Sequence, residues 1–254
     1  MQKFSNHNFK GQKALIRVDF NVPLNDKFEI TDDSRIKATL PTINKVLKDG
    51  GSVILMSHLG RPKSGPAEKF SLKHLLIHLR KLLPGITIHF TEDCIGVAAI
   101  QKAASLQAGE ILLLENLRFH KEEEKGERLF AEKLAKLGDV YVNDAFGTAH
   151  RSHASTTVIA EYFPSVKKMF GLLMEAEVES AEKVLHQSAQ PFVAIIGGAK
   201  VSDKILIIEK LMQRASDIII GGGMAYTFIK AMDGNIGNSL CEDDRLQTAR
   251  DLLK

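Results

Sequence analysis

The chain has 254 residues, enough for one large or two smaller domains, and its 44% hydrophobic and 26% charged residues are close to the average for a folded globular protein. Its 34 Lys and Arg exceed its 31 Asp and Glu by three, which argues against bulk binding to nucleic acid or to a membrane surface. Cys94 and Cys241 stand far apart with no CxxC pair, which argues against a thiolate zinc site or a disulfide scaffold and reads as free thiols in a reducing cytoplasm.

In chain order, Met1 to Lys10 is polar and lacks the apolar stretch of a signal peptide. Lys13 to Val18 is the first predicted strand and Val53 to Met56 the second. Ser71 to Leu83 carries Leu72, Leu75, Leu76, Leu79 and Leu83 at helical spacing, with Ser71 as its cap. Ile86 to Phe90 reads as a strand, Asp93 to Leu106 as a helix and Glu110 to Leu114 as a strand. The charged run Glu122 to Lys125 reads as a solvated face or helix lead-in. Glu127 to Leu137 is a helix with Gly138 as C-cap, and Val140 to Val142 a strand. The strands are rich in Val, Ile and Leu without alternation, which suits burial on both faces of a parallel sheet. This order predicts a doubly wound, Rossmann-like α/β domain over residues 1–169, with ligands beyond the carboxyl ends of its strands.

Gly171 to Gln187 reads as a long helix, an interdomain connector over 170–187. At Pro191 the alternation restarts, with strands at Phe192 to Ile196 and Ile218 to Ile220. Three helical stretches accompany them, the last running from Arg245 to Lys254. Residues 188–254 therefore read as an incomplete second Rossmann-like domain. No apolar run approaches the roughly 18 to 20 residues of a membrane span.

The chemistry-bearing residues follow the strands. After the first come Asp19, Phe20 and Asn21, then Arg35. After the second come His58, Leu59, Gly60 and Arg61; after the fourth, Arg118; after the fifth, Gly147, His150, Arg151 and His153. Arginine thus recurs on four segments at the ligand side of the sheet. A planar guanidinium makes paired, charge-assisted bonds to phosphate or carboxylate oxygens. The pattern predicts a cleft for a small phosphorylated anion, with His58 as a further donor and Asp19 and Asn21 orienting a hydroxyl. Arg17, inside the first strand, is expected to lie away from that cleft. In the second unit, Gly197, Gly198, Ala199 and Lys200 end a strand, and Lys204 follows one helical turn later. Backbone amides at such a turn suit phosphate. Gly221, Gly222 and Gly223 repeat the strand–glycine–helix pattern and suit close approach of a flat ligand such as adenine. His74 and His78 lack the glutamate of a metalloprotease motif, and no third ligand stands near His150 and His153 in the sequence.

Six strings, in order, resemble the phosphoglycerate kinase family: RVDFNVP from Arg17, SHLGRP from Ser57, ENLRF from Glu115, NDAFGTAHRSH from Asn143, GGAKVSDKI from Gly197 and GGGMAYTF from Gly221. The resemblance implies reversible transfer of the acyl phosphate of 1,3-bisphosphoglycerate to magnesium-bound ADP, giving 3-phosphoglycerate and ATP in glycolysis, by a cytoplasmic monomer whose two domains close about a hinge. By the same resemblance, Asp19, Phe20, Asn21, His58, Leu59, Gly60, Arg61, Arg118 and Arg151 hold the glycerate. Arg35 and Lys200 attend the phosphoryl in flight and meet on closure. Gly198, Ala199, Lys204 and Gly221 to Gly223 hold the nucleotide, and Asp203 lies near the magnesium. The family's later G-G-G-D-T turn and its closing segment have no counterpart in these residues. A 3-phosphoglycerate-binding module without transfer activity is the alternative reading.

Overall fold

A computed structural model describes residues 3–63, 65–186 and 189–254. Gln187 and Ser188, where the predicted connector ends and the second domain begins, lie outside the described residues. The chain divides into two compact units, Met1–Val178 and Glu179–Lys254.

In the first unit six parallel strands form one sheet. They are β1 (Lys13–Val18), β2 (Ser52–Met56), β3 (Ile88–Phe90), β4 (Ile111–Leu113), β5 (Val140–Asp144) and β6 (Lys168–Phe170), in the spatial order β3-β4-β2-β1-β5-β6. The chain moves away from β1 on one side through β2, then crosses to its other side for β5 and β6. The switch point is therefore the crevice at β1 and β5, where an open α/β sheet receives ligands. The doubly wound fold read from the sequence is the fold observed.

Side chains alternate across the sheet, and each face has its own core. Ala14, Ile16 and Val18 of β1 pack with Val53 and Leu55 against α1 (Ser34–Lys48) and the stretch from Leu72 to Leu83, which contains α2 (Leu76–Leu82). Leu15, Ile54 and Leu112 face the other way, onto α3 (Val97–Ser105) and α5 (Arg128–Ala135). Crossovers leading one way along the sheet lie on the first face and those leading back lie on the second, as right-handed connections require.

Local details depart from the sequence reading for identifiable reasons. The helix α1 was not predicted; its amphipathic face buries Ile36, Ile43 and Val46 although Pro41 stands inside it. Strand β6 was also missed, because three residues carry too little pattern to detect. Asp93 does not begin α3; its carboxylate accepts from the amide of Cys94 at 2.7 Å and makes a turn ahead of the helix. Ser71 does cap, accepting from Lys73 N at 3.2 Å, but its first turn is a 3-10 helix, Leu72–Leu75. Gly138 is not a left-handed cap. A Cβ there would come within 2.8 Å of Leu15 Cβ, so glycine is needed for close packing beneath β1. The charged run forms the short helix α4 (Lys121–Lys125), and it is not simply solvated: Glu123 is buried.

The second unit holds two parallel strands, β7 (Val193–Gly197) and β8 (Asp217–Gly221). With them are α7 (Ile205–Met212), α8 (Met224–Ala231) and α9 (Leu246–Leu252). The helix α6 (Leu172–His186) spans the division between the units. Ala194 and Ile196 pack with Ile208, Leu211 and Phe228, whereas Val193, Ile195 and Ile219 are exposed. These strands are covered on one face only among the described residues, unlike the two-face burial expected. Among the described residues, no helix is long and apolar enough to cross a membrane.

Candidate active site

The loops after β1, β2 and β4 are tied into one rigid wall. Ser57 Oγ accepts from Phe20 N at 2.9 Å and donates to Val18 O at 2.9 Å, joining the loop after β2 to the end of β1. Asn21 Oδ1 accepts from Gly60 N at 2.8 Å, and its amide NH2 has no partner among the described residues. Asn116 Nδ2 donates to Leu59 O at 2.8 Å and to Phe70 O at 2.9 Å. Arg118 Nη1 donates to Gly60 O at 3.1 Å. Gly60 has φ +63°, and a Cβ there would meet the Phe70 ring at 2.4 Å, so this position needs glycine twice over. Phe20 and Leu59 are buried in the core, which leaves their main chain as the part able to meet a ligand.

On that wall Asp19 Oδ2 accepts from Arg35 Nη1 at 2.8 Å. Arg35 stands in the first turn of α1, half exposed, while Asp19 is largely covered. Gly147, after β5, lies close enough that a Cβ there would be 3.1 Å from Asp19 Oδ2. Arg151 is partly exposed, with its Nε 3.4 Å from His150 Nε2. Arg61 is exposed and makes no hydrogen bond or ion pair among the described residues. Asp19, Asn21, Arg35, Gly60 and Arg118 are therefore connected by contact, Arg151 acts on the group through its charge, and Arg61 projects freely beside Gly60.

Beneath this surface lies a buried charge network that the sequence reading missed. Arg17, fully buried, donates from Nε to Ser155 Oγ at 2.9 Å and from Nη1 to Val18 O. Its Nη2 lies 3.2 Å from His58 Nδ1. Ser155 in turn donates from Oγ to Glu123 Oε1 at 2.6 Å and from its amide to Oε2 at 3.0 Å. As expected of a residue inside β1, Arg17 is fully buried and does not itself reach the cleft; its guanidinium lies behind His58. The available signal was a charge inside an apolar strand, since a buried charge must find partners.

The network sets the state of His58. Burial, then the charges of Arg17, Arg118 and Arg151, push its pKa down to about 2. The ring is neutral at any physiological pH. A guanidinium only donates, so Nδ1 accepts and the single ring proton sits on Nε2. His58 is thus a fixed N–H donor. Burial, with Arg118 beside it, likewise holds His153 below its usual value despite Glu124. Burial raises the Glu123 carboxyl against the opposing pull of Arg17 and Ser155.

In the second unit the two glycine turns touch. Met224 N donates to Gly198 O at 2.8 Å. Gly222 has φ +70°, and a Cβ there would lie 2.9 Å from Gly198 O, while one on Gly223 would lie 3.2 Å from Ala199 O. The Lys204 stem packs beside Gly198. The side chains of Lys200, Asp203 and Lys204 are exposed. Backbone amides at this glycine turn were expected to suit phosphate; those of Val201 and Ser202, which follow Lys200, both donate to Glu242 Oε2, at 2.5 and 3.1 Å. Asp203 is a single carboxylate. Among the described residues, the one cluster of three potential metal ligands is Asp93, Cys94 and His120, which belongs to the first unit.

Comparison with known proteins agrees with these motifs. The family model for phosphoglycerate kinase matches residues 4–254. A phosphoglycerate kinase of Porphyromonas gingivalis is 53% identical over 97% of this chain and 64% of its own length. One of Koribacter versatilis is 52% identical over 95% of this chain and 61% of its own length. The solved structure of phosphoglycerate kinase from Coxiella burnetii superposes with a TM-score of 0.85 at 38% identity, covering 99% of this chain and 62% of that one. The chain spans a little over three fifths of the length of these relatives. It belongs to the phosphoglycerate kinase family.

Proposed function

We propose that this chain carries the acid-substrate site and part of the nucleotide site of a phosphoglycerate kinase, for transfer of the acyl phosphate of 1,3-bisphosphoglycerate to ADP. The observation that carries the reading is the cationic wall at the β1/β5 switch point. It joins Arg35, Arg118, Arg151 and a neutral His58 donor to the polar pair Asp19 and Asn21.

Each residue has a role its geometry supports. Arg118 and Arg151 neutralise the non-reacting phosphate of 3-phosphoglycerate, and Arg61 swings onto it. His58 donates Nε2–H to a phosphate oxygen. Asn21 donates its free amide hydrogens to the substrate's hydroxyl or carboxyl oxygens, and Asp19 accepts from the hydroxyl. Arg35 is steadied by Asp19 and lies at the reacting carboxyl end. Phosphoryl transfer needs placement and charge neutralisation more than covalent help from the protein. Lys200 would follow the phosphoryl group and Lys204 the nucleotide phosphates, with the touching glycine turns admitting the adenosine. Magnesium arrives on the nucleotide; a lone carboxylate such as Asp203 fits an ion held mainly by phosphates and water.

Calorimetric titration of the chain with 3-phosphoglycerate at low salt tests the acid-substrate site. Saturable binding that Arg118→Ala weakens is the expected result. No heat into the millimolar range, from protein shown folded by circular dichroism, would remove the assignment. A parallel titration with magnesium and ADP separates a two-substrate enzyme from a module that binds 3-phosphoglycerate alone.

A further inference from the structure

The turn that carries Lys200 is held by a carboxylate forty residues further along the chain. Glu242 Oε2 accepts from Val201 N at 2.5 Å and Ser202 N at 3.1 Å, and Oε1 accepts from Ser202 Oγ at 2.6 Å. The glutamate's own amide donates to Thr227 Oγ1, at 3.2 Å, on the buried face of α8. Val201 itself is buried in the core of the second unit. The backbone on the carboxyl side of Lys200 is therefore pinned by its side chain at Val201 and by three bonds to one carboxylate. Burial raises the Glu242 carboxyl, but the bonds from Ser202 and Val201 outweigh it and hold the group below its usual range.

We propose that Glu242 is a positioning residue of the nucleotide site, holding the turn at Lys200 to Lys204 so that the two lysine ammonium groups, and not the turn's amides, meet the nucleotide phosphates. The inference rests on the nucleotide-site reading above. An internal anion already sits on the amides that would otherwise cradle phosphate. A phosphate cannot share them without displacing a carboxylate that makes three bonds. The side chains of Lys200 and Lys204, by contrast, are exposed and make no hydrogen bond or ion pair among the described residues, the Lys200 charge acting on the Glu242 carboxylate only from a distance. Tethering Glu242 to α8 also makes the turn after β7 depend on the element that follows β8, whose glycine turn touches Gly198.

The test uses the 254-residue chain with Glu242→Ala and Glu242→Gln. Glutamine keeps an acceptor for the amides without the charge; alanine removes both. Amide hydrogen exchange of Val201 and Ser202, read by NMR without nucleotide, should be slow in the native chain, nearly as slow in E242Q and fast in E242A. ADP affinity should fall about tenfold in E242A, the loss of roughly one charge-assisted bond's worth of ordering, and stay near native in E242Q. Adenosine, which lacks phosphate, should bind all three alike. Fast exchange in the native chain overturns the anchor. Equal or tighter ADP binding by E242A overturns the positioning role and makes Glu242 a competitor for the phosphate seat. Parallel loss of adenosine and ADP would mean collapse of the unit, which also overturns it. If the native chain binds neither ligand, the nucleotide-site reading fails and the positioning role with it, while exchange still reports whether Glu242 holds the turn.

Discussion

Arg17 Nη2 lies 3.2 Å from His58 Nδ1, so a residue within β1 decides which nitrogen of a residue after β2 carries the proton. The consequence is a neutral histidine whose Nε2–H is left to donate. The positive charge sits one layer deeper, on a guanidinium that burial pushes below its usual pKa and that Glu123 and Asp19 pull back up.

Removing that guanidinium should be costly. Arg17→Met leaves Glu123 buried without its compensating charge, and breaking a buried pair from one side typically costs about 3–5 kcal/mol. Urea denaturation should show that loss. Adding Glu123→Gln should recover part of it, because the orphaned charge is then gone. If the double variant is no more stable than Arg17→Met, the two residues are not coupled.

Stability should fall on mild acidification. The folded pKa of His58 is about 2 against an ordinary 6.5, so between those values the unfolded chain binds a proton that the folded chain refuses. Stability from this group is complete above pH 6.5 and declines as pH falls, by up to about 1.4 kcal/mol per pH unit. His153, also lowered, adds in the same direction. Denaturant midpoints measured from pH 7.5 to 5 should show a shallower slope in His58→Gln. An unchanged slope would mean that His58 takes up its proton in the folded chain.

Arg61 and Arg118 should separate binding from folding. Arg61 is exposed and makes no hydrogen bond or ion pair among the described residues, so Arg61→Ala should change stability by no more than about 0.5 kcal/mol while weakening 3-phosphoglycerate binding. Arg118 holds Gly60 O at 3.1 Å and Glu124 at 3.3 Å, so Arg118→Ala should lower both affinity and thermal midpoint. Unchanged affinity in Arg61→Ala would take that residue out of the site.

Gly60→Ala tests the wall directly. Its positive φ and the Phe70 ring both oppose a Cβ, so a loss of more than about 1 kcal/mol is expected. Because Gly60 N and O bond Asn21 and Arg118, 3-phosphoglycerate affinity should fall as well. A variant that folds and binds normally would show the loop to be plastic.

Arg35→Ala should slow phosphoryl transfer, assayed with both substrates in the full-length context, more than it weakens 3-phosphoglycerate binding. Equal losses would argue against a role confined to the transition state.

The sequence by itself determined the sheet's main strands and the loops after them that carry the arginines. These depend on local pattern: an apolar run, a following loop and a guanidinium within it. It also carried the family, because six strings in order need no tertiary knowledge. Tertiary structure alone decided what becomes of the charges. Arg17 reaches Ser155, 138 residues away, and Glu123 leaves its acidic run to meet the same hydroxyl. Glu242 closes the turn at Val201 from 41 residues further on. Burial and hydrogen-bond partnership are properties of what the rest of the chain places opposite a residue. Periodicity along the chain describes only which face that residue lies on.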